Sequence, residues 1–471
     1  MTKYVPTIGL EVHAELATKT KMFCNSANDS DEARANINVC PICMGHPGTL
    51  PVINKEAVRQ VLRVGMAVGG TFADYTEFDR KNYYYPDLPK GYQISQYEHP
   101  LISGGSLVGV ELTRIHLEED TAKNIHKDGH SVVNYNRAGI PLMELVTEPV
   151  VKSAAQAKEF GRELQLLLQT LGASEANMEK GEMRVEANIS VAPEGAEEFG
   201  TKVEVKNLNS FQVAEMAIDY EIKRQTQALE NGEEIIQETR GWDDKKQATF
   251  SQRMKETSDD YRYFPDPDLP KLVMSEVPEF SSEKIMKSLP ELPDEIRTRL
   301  ADLGIGKDDI ETLLSRRDLR DLFDKTQELL GEGERQTQLA ANYITSDLIG
   351  LEREHSGKQD IEAKHFAELI HMIASDELSS RGGKDTLSIM FDSDRSPQEI
   401  AEDEGLLQQS SEGDLLPIVE EIISEHEEVA QDYRNGNESA IQFLVGQGMA
   451  KTSGAANPQI LKQLLEQNLA E

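Results

Sequence analysis

The first half of the chain is dominated by strict alternation of apolar and polar positions. In the run Gly9-Leu-Glu-Val-His-Ala-Glu-Leu16, Leu10, Val12, Ala14 and Leu16 alternate with Glu11, His13 and Glu15. That period of two is the signature of a β-strand with one apolar and one polar face. Three further segments read the same way. Arg114, His116 and Glu118 alternate with Ile115 and Leu117, and Arg184, Glu186 and Asn188 with Val185, Ala187 and Ile189. Lys202, Glu204 and Lys206 alternate with Val203 and Val205. Helical spacing interrupts the strands twice. Ser153 and Gln156 form a capping-box pattern at the head of a helix that Gly172 ends. A second helix is predicted over 211–230, stopped by Asn231-Gly232. Gly104-Gly105, between apolar runs, predicts a hairpin turn.

Beyond the proline-punctuated segment Ser288-Leu-Pro-Glu-Leu-Pro293 the strand signals fade. Glu, Leu, Gln and Ala then recur at helical spacing to the end, with a softer boundary between Ser393 and Pro397. A last helix has Asn457 as its N-cap and Pro458 at its first position. The expected fold class is therefore α+β. A domain over 1–293 is built on a mainly antiparallel sheet, followed by a helical domain over 294–396 and a helical tail over 397–471.

Composition narrows the functional classes. Among 471 residues, 49 Lys and Arg against 84 Asp and Glu leave a net charge of −35. Such an excess excludes non-specific adhesion to DNA or to anionic membranes. No apolar run reaches the length of a membrane span and the N-terminus has no signal-peptide pattern, so a cytoplasmic protein is expected. Three cysteines, Cys24, Cys40 and Cys43, are too few and odd in number for a disulfide framework.

Two readings of the polar strand faces compete. Glu and Lys are ordinary residues on the solvated side of an antiparallel sheet. If the strands share one sheet, however, acids, imidazoles and cations gather on one face, the composition of a site for a divalent metal and a phosphate. A few carboxylates from different strands suffice for Mg2+, whereas the histidines point equally to Mn2+ or Zn2+. The cluster Leu117-Glu-Glu-Asp120 continues one strand, and Glu144 and Glu148 follow short apolar stretches. The loop from Phe78 to Ser95 sets Arg80, Lys81 and Lys90 among aromatics, prolines and a glycine, a composition suited to phosphate or to nucleic acid. A rigid turn-rich loop with local aromatic packing is its other reading. No GxxxxGK[ST] and no strand-linked GxGxxG occurs, so any nucleotide must be held by metal and scattered cations. Cys40-Pro-Ile-Cys43 has the spacing of half a zinc site, with Cys24 as a third ligand and His46 as a candidate fourth.

Taken together, several of these stretches are similar to one family. They are Gly9–Leu16, Phe78–Tyr83 through Gln93–Gln96, His116–Asp120, Asn207–Phe211, Gln237–Trp242, Asp259–Pro270 and Phe443–Gln447. The chain resembles, over nearly its whole length, the GatB/GatE family, which includes the B subunits of tRNA-dependent amidotransferases. The resemblance implies a cradle domain, a helical domain and a tail related to YqeY proteins. It also implies partners, namely an amidase (the A subunit), a small C subunit and a misacylated tRNA. The implied reaction is ATP-dependent phosphorylation of the side-chain carboxylate of Glu-tRNA(Gln) or Asp-tRNA(Asn), followed by amidation with ammonia that the amidase releases from glutamine. Carried over residue by residue, Glu11, His13, Glu119 and Glu144 are expected to bind Mg2+, directly or through water. Lys81 and Lys206, with Arg184, are expected to meet the phosphoryl groups of ATP. A reading from another class is a non-catalytic tRNA-docking scaffold in the same complex.

Three departures from the family pattern stand out. Ser26 occupies the position of a second cysteine, leaving Cys24, Cys40 and Cys43 one ligand short of the family's structural zinc site. Glu186 stands where the family usually has Asp, so metal contact there is expected to be indirect or shifted. In the tail, usually rich in lysine, only Lys451 remains of those charges around Asn435–Ala440 and Met449–Gly454. The tail is then expected to meet tRNA through shape and hydrogen bonds.

Overall fold

The computed structural model describes residues 3–254, 258–331, 333–355, 361–408, 412–452 and 454–470. Its contacts divide the chain into two compact units, Met1–Pro293 and Asp294–Glu471. The first unit is built on a ten-stranded sheet. Across it run, in order, the strands Ala248–Met254, Glu238–Asp243, Val203–Leu208, Met183–Pro193, Tyr4–Glu15, Pro141–Thr147, Val110–Glu119, Ile102–Ser103 and Thr71–Phe72. Ser106–Leu107 joins beside Val110–Glu119. Pairing is antiparallel except between Val203–Leu208 and Glu238–Asp243. The α+β expectation holds, with a mainly antiparallel sheet as its frame.

Each alternating strand buries its apolar side. Leu10, Val12, Ile115, Leu117, Leu145, Val185 and Ala187 belong to one core that includes Phe160 and Leu164 of the helix Ala154–Thr170. Ala217 and Ile218 of the helix Phe211–Glu230 belong to it as well. Both helices begin as the sequence predicts, with Ser153 Oγ accepting from the Gln156 N–H at 3.2 Å and Ser210 Oγ from the Val213 N–H at 3.1 Å.

The expected hairpin at Gly104-Gly105 is displaced. Ile102–Ser103 and Ser106–Leu107 do not pair with each other; both pair with Val110–Glu119, and the chain reverses at Val108-Gly109 (φ 44° and 73°). Gly105 is required instead by close approach. At φ +98°, a Cβ there would lie 2.8 Å from the Val68 carbonyl oxygen at the end of the helix Lys55–Ala67.

A small three-stranded sheet, Phe264–Pro265, Asp79–Asn82 and Tyr92–Ser95, carries the predicted cationic loop. The described residues of the second unit form helices throughout. Four of them, Glu412–Glu425, Glu427–Arg434, Ala440–Lys451 and Pro458–Ala470, enclose a core of their own around Leu415, Val419, Ile422, Leu444, Leu461 and Leu465. Asn457 caps the last of these helices, its Oδ1 accepting from the Gln459 N–H at 3.0 Å. None of the described helices is long and apolar enough to cross a membrane.

Leu145 is fully buried at the centre of the sheet. Leu145→Ala is expected to destabilise the first unit by about 2–5 kcal/mol. Trp242, the single tryptophan, lies in this unit, so urea unfolding of the full chain followed by its fluorescence measures the change.

Candidate functional site

Register assembles the polar faces. His13 stands opposite Glu144 on one side and Arg184 on the other, and Glu144 stands opposite His116. In the next row Glu11 faces Glu186. Directly opposed residues of antiparallel strands project to the same side. The result is a row His116–Glu144–His13–Arg184 across four strands, with Arg114, Glu118, Glu11 and Glu186 flanking it on the same face.

His13 is the hub. Its Nε2 lies 3.3 Å from Glu144 Oε2, 3.4 Å from Glu118 Oε1 and 3.8 Å from Glu11 Oε1. His116 Nε2 lies 3.4 Å from the same oxygen of Glu144. Two groups of ligand atoms converge within 4.8 Å, Glu11/His13/Glu144 and His116/Glu118/Glu144, and they share Glu144. Nδ1 of both histidines and Oε2 of Glu118 are buried without hydrogen-bond partners among the described residues. Such atoms are costly to leave unsatisfied and mark a site arranged for something besides the fold.

The electrostatics point the same way. Burial, followed by the neighbouring Glu144 and Glu186 carboxylates, pushes the Glu11 pKa up to about 7. Burial alone would lower the His13 pKa, but Glu144, Glu118 and Glu11 overcome it and raise it to about 9. Glu144, despite burial that opposes its ionisation, is held well below the carboxylate range by His116 and His13. The cluster thus carries more negative charge than its own groups balance and keeps a proton on His13. A divalent cation would take over that proton's role.

The predicted cations sort into two kinds. Lys206 Nζ is paired with Glu186 Oε2 at 2.7 Å and lies 3.7 Å from Glu204 Oε1. Arg184 is paired with the buried Asp120 at 3.0 Å, and Asp120 also takes Arg137, which reaches Glu15 at 3.0 Å. Lys81 differs. It arrives from the three-stranded sheet with its Nζ 5.0 Å above the Tyr261 ring, and among the described residues it forms no ion pair within 4.0 Å. Burial would lower its pKa, but attraction by Glu118 and Glu144 raises it well above that of an ordinary lysine.

Glu119 stands apart from the cluster. Its Oε1 accepts from Lys90 and from the Ile94 N–H at 2.9 Å, and it lines a cavity of about 220 Å³ with Cys24 and Cys43. Alternation could have shown this, because His116 and Glu118 share a face and Glu119 falls on the other. The structure brings Glu118 and His116 to the cluster, neither of which the family resemblance assigned to the metal. Glu186 faces Glu11 and is paired with Lys206.

The three thiols do converge, with ligand atoms within 4.8 Å of one another, and His46 is not in that group. Cys43 Sγ accepts from the Cys40 N–H at 3.1 Å and lies 3.9 Å from Ser26 Oγ. The fully buried Lys21 sits 4.0 Å away. A hydrogen bond from Cys24 leads the influences that bring the Cys43 pKa down to about 5.

Residues 6–278, more than half the chain, match the GatB/GatE catalytic domain, and residues 321–469 match the GatB domain. The chain belongs to the GatB/GatE family. It is 42% identical over 479 residues to the B subunit of the aspartyl/glutamyl-tRNA(Asn/Gln) amidotransferase of Persephonella marina, covering 99% of this chain and 100% of the relative. It is 40% identical over 489 residues to that of Carboxydothermus hydrogenoformans, covering both chains completely. The cluster lies wholly within the span that matches the GatB/GatE catalytic domain.

A carboxyl whose pKa rises on folding, like Glu11, holds a proton that the unfolded chain releases. Its contribution is favourable below the usual 4.5 and is lost as pH rises through about 7. In the presence of a chelator, Glu11→Gln is expected to raise the thermal midpoint of the full chain at pH 8, and the gain should be much smaller at pH 5. Added Mg2+ or Mn2+ should cancel the gain by stabilising only the chain that keeps the ligand. Midpoints read by Trp242 fluorescence at the two pH values decide it.

Proposed function

We propose that this chain is the amide-forming B subunit of a glutamine-dependent tRNA amidotransferase, a carbon–nitrogen ligase that uses ATP. The observation carrying the reading is the over-charged carboxylate–histidine cluster with Lys81, which forms no ion pair among the described residues, beside it, inside the GatB/GatE catalytic domain.

The donor set fits a divalent cation, with Glu11, His13 and Glu144 on one side of the shared carboxylate and His116 and Glu118 on the other. Mg2+ bound there would neutralise phosphate charge and polarise the phosphoryl group in transfer. The protein's own groups do the rest. Lys81 offers its ammonium to the terminal phosphate of ATP. Arg184 and Lys206, held by Asp120 and Glu186, place two cationic groups at the rim of the cluster, within reach of an incoming phosphate or carboxylate. An oxygen of the substrate's side-chain carboxylate attacks the terminal phosphorus, and ADP leaves. Ammonia nitrogen then attacks the acyl carbon of the mixed anhydride, phosphate departs and the nitrogen loses a proton, leaving the amide. Conversion to an acyl phosphate is what makes a carboxylate, a poor electrophile, open to ammonia.

The reading includes an amidase (the A subunit) that supplies ammonia, a small C subunit, a misacylated Glu-tRNA(Gln) or Asp-tRNA(Asn) as substrate, and action in the cytoplasm. The separate core around Leu415 and Leu461 supports treating 397–471 as a tail distinct from a helical domain over 294–396. Within that tail Lys451 is paired with Glu421 at 2.8 Å and Glu425 at 2.9 Å, which supports recognition by shape and hydrogen bonds over phosphate attraction. Cys24, Cys40 and Cys43 would fill three positions of a structural zinc site.

In the reconstituted complex, Glu144→Gln and Lys81→Met are each expected to lower ATP-dependent amidation with ammonium as nitrogen donor by roughly a hundredfold or more. Binding of tRNA in a gel-shift assay should be unchanged. Amidation that survives both substitutions sinks the catalytic reading. Assays with Glu-tRNA(Gln) and with Asp-tRNA(Asn) identify the substrate.

A further inference from the structure

Next to Lys81 lies a cluster of aromatic rings that the phosphorylation chemistry leaves unused. Tyr261 carries the Lys81 ammonium over its face and meets Tyr83 edge-on at 5.9 Å between centroids. Tyr263 stacks on Tyr97 at 4.3 Å. A cleft of about 650 Å³ opens beside them, lined by Tyr83, Tyr84, Tyr261, Phe264, Asn82 and Arg262, with Asp260 also on its wall. Asn82 holds the two walls together, its Nδ2 donating to the carbonyls of Tyr261 at 3.1 Å and Arg262 at 2.8 Å.

The exposure of these rings is unusual. Tyr84 is 91% exposed and Phe264 44%, although aromatics normally bury their area. Tyr84 is nevertheless placed. It lies against Gly91, where an added Cβ would meet Tyr84 Cε1 at 3.2 Å, and at φ +75° that glycine also needs its conformational freedom. Arg262 is exposed at the same cleft and, among the described residues, forms no ion pair. In a chain of net charge −35, a patch of tyrosines with an arginine and a lysine that form no ion pair among the described residues is a local exception, complementary to phosphate and to base faces.

We propose that this cleft is a stacking platform for the single-stranded 3′ end of the aminoacyl-tRNA, with Tyr84 carrying the terminal adenine and Arg262 the adjoining phosphate. The proposal rests on the tRNA amidotransferase reading above. The choice of a nucleic-acid end over free ATP follows from the openness of the rings. Small ligands bind in cavities that enclose most of their surface, which a ring 91% exposed does not provide. Exposed aromatics with interleaved cations are how proteins hold single-stranded ends. The position is also consistent with the chemistry. The amino acid is esterified to the terminal ribose, so a base seated in the cleft delivers its carboxylate toward Lys81, one tyrosine ring away.

The test uses the reconstituted complex and a tRNA carrying 2-aminopurine as its terminal base. Binding is expected to quench the 2-aminopurine fluorescence, Tyr84→Phe to retain the quench, and Tyr84→Leu to abolish it. Tyr84→Leu should also raise the KM for aminoacyl-tRNA roughly tenfold with the KM for ATP unchanged. Arg262→Gln should flatten the salt dependence of tRNA binding. An absent quench, a quench indifferent to Tyr84→Leu, displacement of the base by ATP, or a rise in the ATP KM alone would each overturn the proposal. Because Tyr84 is exposed, its substitution spares the fold. The two readings fail separately. If Glu144→Gln leaves amidation intact, the phosphorylation site falls; if that loss stands while Tyr84→Leu has no effect, the platform alone falls.

Discussion

The register of the Tyr4–Glu15 strand between its two neighbours is the constraint on which the rest of this protein depends. Pairing His13 with Glu144 and Arg184 brings chemistry from well-separated parts of the chain to one place. The same pairing sends Leu10, Val12 and Ala14 into the core under the helices Ala154–Thr170 and Phe211–Glu230. Side chains alternate with a period of two, so a slip of one residue would bury Glu11, His13 and Glu15 and expose the apolar row. The hydrophobic effect thus fixes the geometry of the polar site. Core packing on one face and the cluster on the other are two consequences of one register.

That register creates an electrostatic problem, and the surrounding cations solve only part of it. Asp120 engages Arg184 and Arg137, and Glu186 engages Lys206. Glu11, Glu118 and Glu144 gather around two imidazoles, with Arg114 3.9 Å from Glu144 Oε1. Burial and the neighbouring Glu144 and Glu186 carboxylates raise the Glu11 pKa to about 7, and Glu144, Glu118 and Glu11 hold the proton on His13 to about 9. Carboxylates so placed disfavour one another until a cation arrives. Lys81 comes from a separate small sheet and is not consumed by an ion pair among the described residues. A site with surplus negative charge and one uncommitted ammonium suits a metal and a phosphate arriving together. Electrostatic strain of this kind is tolerable because the other face of the sheet is held by a buried apolar core.

Several elements were legible residue by residue. The Ser153 cap lies where the sequence pattern puts it, and the second helix starts at the predicted Phe211, since capping and helix ends are local and need no distant partner. The alternating strands and their polar faces were legible for the same reason. The Gly104-Gly105 turn was misread because a glycine pair has two local meanings. Here close approach to the Val68 carbonyl, a contact made by a different element, decided between them. Glu119 shows a different gap between motif and structure, its carboxylate being engaged by Lys90 and the Ile94 N–H. A motif names neighbouring residues without their direction, and the family resemblance pointed to Glu119 although strand alternation sets Glu118 beside His13.

What the sequence determined by itself was the local and the compositional: strands with one polar face, helix ends, the change to helices after Pro293, and motifs specific enough to place the family. Each is carried by residues close together along the chain, where period and capping chemistry act directly. Tertiary structure alone decided which polar faces meet, that His116 and Glu118 join Glu11, His13 and Glu144, and that Arg184 and Lys206 are already paired while Lys81 forms no ion pair among the described residues. It also left Tyr84 and Arg262 open at one cleft. These outcomes depend on distances between strands far apart in sequence, which strand order and register set. Residue type can supply a carboxylate or a cation, but only packing decides whether the other stands within reach.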